Sequence, residues 1–207
     1  AMLEKLGERF EIARNYFKRH ACCRYNHSAL DVLGLIAERF SDGRIPADAV
    51  KEVLVETYSL AAQLCDQNPT NMLAAKFSIP FAVATYLTHG NAGVPCFRKG
   101  KVSDGAIQDL ADRVIVRENP EMTAMMPDKR PSRVTVRLKD GTEYTDETYV
   151  NKGDFESPYT PEDLVAKYQE LAVPVWGQNR ADALYTQVRR LPDLERLEEL
   201  TAPLRAS

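Results

Sequence analysis

Ser132-Arg133-Val134-Thr135-Val136-Arg137-Leu138-Lys139-Asp140-Gly141-Thr142-Glu143-Tyr144-Thr145-Asp146-Glu147-Thr148 decides the fold class of this 207-residue chain. Its first half alternates apolar and polar side chains, the period of two expected of a strand buried on one face. Asp140-Gly141 supplies the positive φ that tight hairpin turns need. Residues 143–148 then return as the partner strand. Working outward, Arg113-Val114-Ile115-Val116-Arg117 has the same period. Val50 to Tyr58 sets Val53, Val55 and Thr57 against Glu52, Leu54 and Glu56 and reads as a further strand. Residues 118–131, with Asn-Pro, three methionines and Asp-Lys-Arg-Pro, read as a mobile linker.

Helical periodicity surrounds these strands. Leu3, Leu6, Phe10, Ala13 and Phe17 predict an amphipathic helix over 3–18. Leu30, Leu33, Ile36, Ala37 and Phe40 predict another over 28–40, with Ser28 as its cap and Ser41-Asp42-Gly43 as its stop. Residues 70–88 form the longest apolar stretch and suit a closely packed helix. Pro80 either kinks it or opens a second segment, and Gly90 stops it. A short helix over 103–111 is capped by Ser103 or Asp104. Thr160-Pro161-Glu162-Asp163 is a strong helix start, leading to about Leu171, and two amphipathic helices at about 178–190 and 193–200 follow. The expected class is α+β: a mainly antiparallel sheet with flanking helices.

Composition narrows the function classes. The chain is 44% hydrophobic and 28% charged, with a net charge of −3. Basic residues are interleaved with acids, so no nucleic-acid partner is expected. No apolar run approaches the ~20 residues of a membrane span, and we expect no membrane partner. Four cysteines, two of them adjacent, fit a reduced cytoplasmic protein better than a disulfide scaffold. No GxGxxG, Walker loop, GxSxG or HExxH is present.

The chemistry concentrates in Lys18-Arg19-His20-Ala21-Cys22-Cys23-Arg24-Tyr25-Asn26-His27. These ten residues hold three cations, two thiols and two of the three histidines of the chain. Cations beside a helix start suit an anionic ligand. Lys18 and His27 are the candidates for direct roles: a lysine holds a carboxylate, and an imidazole moves a proton. Arg24 can clamp a carboxylate through two hydrogen bonds. The competing readings are a solvated basic turn, a core or capping histidine at His27, and a surface ion pair at Arg24. Zinc on His20, Cys22, Cys23 or His27 is disfavoured because adjacent cysteines fit one tetrahedral site poorly, so no metal is expected.

Three ordered runs resemble the MmgE/PrpD family, which includes 2-methylcitrate dehydratase and cis-aconitate decarboxylase. The first is Lys18 to His27 followed by Asp31. The second is Ala75-Lys76-Phe77-Ser78-Ile79-Pro80-Phe81-Ala82-Val83-Ala84, within Pro69 to Gly90. The third is Lys152-Gly153-Asp154 to Pro158-Tyr159-Thr160, then Leu164, Lys167 and Tyr168. The sequence departs from the family pattern at His20-Ala21-Cys22, where a proline usually precedes the first cysteine; Cys23 rather than Cys22 can hold the equivalent place.

The resemblance implies the C-terminal, smaller α+β domain of a two-domain lyase. Residues 1–15 would end the helical domain, 16–172 form the small domain, and 173–207 return to the helical domain. It implies a cofactor-independent hydro-lyase of the 2-methylcitrate dehydratase type, working in propionate catabolism on a small polycarboxylate. Decarboxylation, epimerisation and a non-catalytic lid are the alternatives. It also implies a homo-oligomer, such as a dimer, and a fragment inactive without the missing helical domain. By position in the motif, Lys18 and His27 would be catalytic, and Arg19, Arg24 and Ser78 would bind substrate.

Overall fold

The computed structural model describes residues 5–205. They divide into two compact units, Ala1–Pro158 and Tyr159–Ser207.

The first unit is built on one four-stranded sheet. Its strands are β1 (Val50–Thr57), β2 (Val114–Glu118), β3 (Ser132–Leu138) and β4 (Glu143–Thr148), in spatial order β2-β1-β3-β4. β1 pairs antiparallel with β3, and β3 with β4, while β1 and β2 run parallel. A parallel pair needs a long crossover. Here it carries α2 (Ser59–Ala62), α3 (Met72–Lys76), α4 (Ile79–His89), α5 (Lys99–Val102) and α6 (Gly105–Ala111). The β3–β4 turn forms as its residues predict. Gly141 takes φ 91°, and the Asp140 carboxylate accepts the Thr142 amide at 2.9 Å.

The period of two divides the sheet into unlike faces. Val53, Val55, Val134 and Val136 are fully buried, and α1 (His27–Ala37) packs over β3 and β4. On the opposite face Arg133 lies between Glu56 and Glu147, and Arg137 between Glu52 and Glu143. Such exposed pairs are worth little individually, but they place opposite charges across every strand boundary they span.

Several expectations change. The helix over 3–18 is not formed: Leu3 lies outside the described residues, and beyond it a single 3-10 turn, Glu11–Arg14, appears. Gly7 at φ 83° interrupts the spiral, and Leu6, Phe10, Ile12 and Phe17 are exposed. A short helix draws its stability from packing an apolar face, and these side chains find no such cover among the described residues. Ser28 is not the cap of α1. That place falls to Asn26, and the Ser28 hydroxyl turns into the core. The linker 118–131 contains α7 (Pro120–Ala124), which Asn119 caps and Met122 anchors in the core. In the 70–88 stretch Pro80 opens a second helix rather than kinking one. Ser78 caps α4, and Gly90 ends it at φ 71°.

The second unit holds α8 (Pro161–Trp176), α9 (Gln178–Arg189) and α10 (Glu198–Arg205). Thr160 and Asp163 form a reciprocal capping box, so the helix starts where expected, yet it runs past Leu171 to Trp176. Tyr168 donates its hydroxyl to the Ala181 carbonyl at 2.8 Å and stacks near Tyr185, tying α8 to α9. No helix among the described residues is long and apolar enough to cross a membrane.

A buried hydroxyl chain holds α1 on the sheet. Ser28 meets Ser132 at 2.9 Å, Ser132 donates to Thr57 at 3.1 Å, and Thr57 donates to the Pro131 carbonyl at 2.9 Å. Ser132→Ala strands the Ser28 hydroxyl and should cost about 1–3 kcal/mol in urea unfolding, whereas Thr145→Ala, at an exposed pair, should cost about 0.5 kcal/mol or less.

Candidate active site

The segment that precedes α1 has almost no regular structure, yet three of its backbone amides are held by distant carbonyls. The Phe17 amide donates to the Gly153 carbonyl at 3.0 Å, Ala21 to Ala92 at 2.8 Å, and Cys23 to Lys76 at 2.8 Å. The Asn26 side chain adds a bond to the Lys76 carbonyl at 3.2 Å. Polar backbone that leaves helices and strands must find partners elsewhere. Here Lys76 belongs to the second run singled out in the sequence, Gly153 to the third, and Ala92 lies just past the second, so the fold brings the three runs to one place.

Arg24 is the centre of this arrangement. It is only 7% exposed, and its Nη2 donates to Asp154 at 2.5 Å. Its guanidinium lies 4.4 Å over the Tyr16 ring, and Nη1 reaches His27 Nδ1 at 3.2 Å. Both terminal nitrogens and one π face of the group are thus engaged by the protein itself, while Nε is buried without a partner among the described residues, and burial leaves a substrate carboxylate no clear approach.

His27 is fully buried at the start of α1. Because a guanidinium can only donate, Nδ1 is the acceptor and the imidazole proton sits on Nε2. That nitrogen is buried without a well-formed hydrogen bond among the described residues. Burial pushes the His27 pKa down to about 2, helped by His20, Arg24 and Lys18, while the Cys22 backbone pulls the other way. His27 is therefore a neutral imidazole with one N–H to offer.

His20 sits at the edge instead. Its ring packs edge-on to His27 at 5.1 Å and to Tyr86 at 6.1 Å. Its Nε2 faces Asp31 Oδ1 at 3.8 Å, with side chains 10% and 14% exposed. The other Asp31 oxygen accepts the Lys152 amide at 2.9 Å, which fixes the carboxylate. Asp31 lies one helical turn beyond His27 on α1. Gly34, one turn further still, lets the Tyr86 hydroxyl approach the helix: a Cβ there would meet it at 3.4 Å.

The remaining candidates separate clearly. Lys18 is exposed, and its ammonium donates to the Cys22 carbonyl at 3.4 Å beside this cluster. Arg19 is half-buried and acts electrostatically on Tyr86. Ser78 is fully buried, and its hydroxyl both donates to the Asp66 carbonyl at 2.5 Å and accepts the Phe81 amide at 2.9 Å. Those two bonds give Ser78 a capping role and leave it no contact with a ligand. Burial pushes the Cys22 thiol up to about 12, so it packs as a small hydrophobe. No group of three His, Cys, Asp or Glu side chains among the described residues is placed to hold a metal ion.

The sequence reading names Lys18 and His27 for direct roles and gives none in proton transfer or positioning to His20, Asp31 or Asp154, which the structure places beside His27 and Arg24. The signal for Asp31 was its spacing of four from His27. Asp154 stands in the third run, but no local pattern ties it to Arg24, 130 residues away.

The family model of the MmgE/PrpD C-terminal domain matches residues 20–192. The chain is 26% identical over 178 residues to cis-aconitate decarboxylase of Homo sapiens, covering 83% of this chain and 34% of that protein. It is 28% identical over 143 residues to cis-aconitate decarboxylase of Mus musculus, covering 66% of this chain and 28% of that protein. The chain therefore spans about a third of the length of these curated relatives. Lys18 and Arg19 precede the matched family segment.

A histidine held neutral makes stability depend on pH. Its folded pKa lies below the ordinary value of 6.5, so the unfolded chain binds the proton more readily. The contribution is complete above pH 6.5 and is lost as pH falls toward 2. Lowering pH from 7.5 to 5.5 should remove about 1.4 kcal/mol through His27. Urea unfolding at both pH values should show this difference shrinking by that amount in His27→Gln.

Proposed function

Because the chain belongs to the MmgE/PrpD family, carrying its C-terminal domain, we propose that it is the small-domain part of a cofactor-independent lyase acting on a small polycarboxylate. The observation that carries this reading is the juxtaposition of Lys18, His20, His27 and Asp31 in one cluster of the first unit. Proton transfer beside a carboxylate needs an acid or base at the carbon and donors where negative charge develops. In this proposal Lys18 binds a carboxylate or stabilises that charge. His27, neutral and fully buried, acts through its edge-on contact with His20 rather than by touching substrate. Arg19 contributes positive potential at the entrance. Arg24 acts through its tie to Asp154 rather than by touching substrate.

Dehydration of a 2-hydroxy polycarboxylate and decarboxylation of an unsaturated one share this requirement. The dehydration reading comes from the family resemblance; the decarboxylation reading gains support from the two similar proteins named cis-aconitate decarboxylase. The rest of the active site is supplied by a helical domain outside this chain. Exposed Leu6, Phe10, Ile12 and Phe17 are the surface proposed to receive it. The enzyme is proposed to work in the cytoplasm as a homo-oligomer, and the 207-residue chain alone is expected to turn over little because its groups are incomplete.

The test is turnover by the full-length protein, this chain together with the helical domain. 2-Methylcitrate, citrate and cis-aconitate are supplied, and both new conjugated double bonds and released carbon dioxide are followed. Lys18→Ala should lower kcat/KM by about 10²-fold or more with the fold intact by circular dichroism. Absence of turnover on all three acids by the wild type would sink the lyase reading, and an unchanged rate in Lys18→Ala would remove Lys18 from the site.

A further inference from the structure

Resting on the lyase reading, we propose that His20 is the residue that exchanges the proton with substrate, and that Asp31 is the positioning residue that holds its imidazole. The geometry assigns this role by location. His27 is sealed from solvent and fixed by Arg24, whereas His20 stands at the edge of the same cluster, 10% exposed, with a carboxylate facing its Nε2 at 3.8 Å. That separation is too long for a hydrogen bond and short enough for one to form by a small rotation, as catalytic pairs commonly do on loading. Asp31 is not free to swing away, because the Lys152 amide holds its other oxygen at 2.9 Å.

The groups facing His20 come from every element around it. His27 and Asp31 approach from α1 and Tyr86 from α4. Lys18 stands on its own segment, where its ammonium meets the Cys22 carbonyl. The Tyr86 hydroxyl is held protonated by burial, so it is a donor rather than a second anion. Asp31 is thus the carboxylate that faces the ring, and an imidazolium formed at His20 has a counter-charge at the atom where it needs one.

The step balances without any further reactant. In a decarboxylation the C–C bond to the carboxylate breaks and carbon dioxide leaves. The electron pair remains on the substrate carbon until the His20 imidazolium delivers its proton there. In a dehydration the neutral imidazole takes the proton from carbon, that electron pair forms the double bond, and the hydroxyl departs as water on taking a proton from solvent. In both directions His27 never changes protonation state.

The experiment compares His20→Ala, His20→Phe and Asp31→Asn with wild type in the full-length protein. His20→Ala should lose about 10²-fold or more in kcat with little change in KM. Added imidazole should restore a measurable part of that rate to His20→Ala and none to Lys18→Ala. His20→Phe keeps a ring against His27 and Tyr86 and should be equally slow, which separates proton transfer from packing. Asp31→Asn should lower kcat less and alter the shape of the pH–rate profile. Full activity in His20→Phe, or a loss in His20→Ala that imidazole leaves untouched, overturns the assignment while the lyase reading stands. A wild type that turns over no polycarboxylate overturns both.

Discussion

The Arg24–Asp154 ion pair is the constraint on which the rest of the site depends. It joins the irregular segment before α1 to a loop 130 residues away, at 2.5 Å, with the arginine almost wholly buried. Taking a guanidinium out of water is tolerable only when its charge and its donors are met. Asp154 supplies the charge, Tyr16 a π face, and His27 an acceptor. The same contacts dictate the state of His27: an arginine donating to Nδ1 leaves no room for a second proton there. One buried cation thereby sets both the position of the loop and the tautomer of the neighbouring imidazole.

That arrangement explains why two histidines seven residues apart have opposite characters. His27 enters α1 and is fully buried, with its ring held between Arg24 and His20. His20 lies on the extended segment, where a bond from the Ala21 amide to Ala92 keeps the chain at the surface. Asp31 belongs to α1 but reaches back toward the segment, and Lys152 from the Asp154 loop locks it. The loop therefore acts twice, through Asp154 on Arg24 and through the Lys152 amide on Asp31. Between them the two contacts hold the buried histidine in a fixed state and leave the edge histidine its carboxylate.

Much of the fold was legible in the sequence because its signals are local. The period of two in β1 and β3, the Asp140-Gly141 turn, the capping box at Thr160 and the stop at Gly90 each depend on residues within a few positions. Where local signals misled, tertiary packing decided. The periodicity of 3–18 had no surface to lie against among the described residues, and Ser28, a good cap by type, was drawn instead into the hydroxyl chain with Ser132 and Thr57. The site was half legible. A dense cluster of cations and imidazoles announces chemistry, but whether a given cation is available depends on partners far along the chain. Arg24 reads as a carboxylate clamp until Asp154 is placed beside it. Ser78 reads as a polar ligand contact until its two bonds, to Asp66 and Phe81, are seen.

Those internal pairings also set the sign of the field that a ligand meets. Asp154 is absorbed by Arg24, and Asp31 is held behind His20 by a backbone amide, so neither carboxylate is directed outward as a bare charge. Lys18 is exposed, and its ammonium has a neutral carbonyl for its partner. Lys18 thus places a positive charge at the edge of this cluster although the chain's net charge is −3. Steering of an anion depends on the local potential rather than on the total charge. Under the proposed lyase reading, a polycarboxylate would meet Lys18 with one carboxylate and bring its reacting carbon to His20.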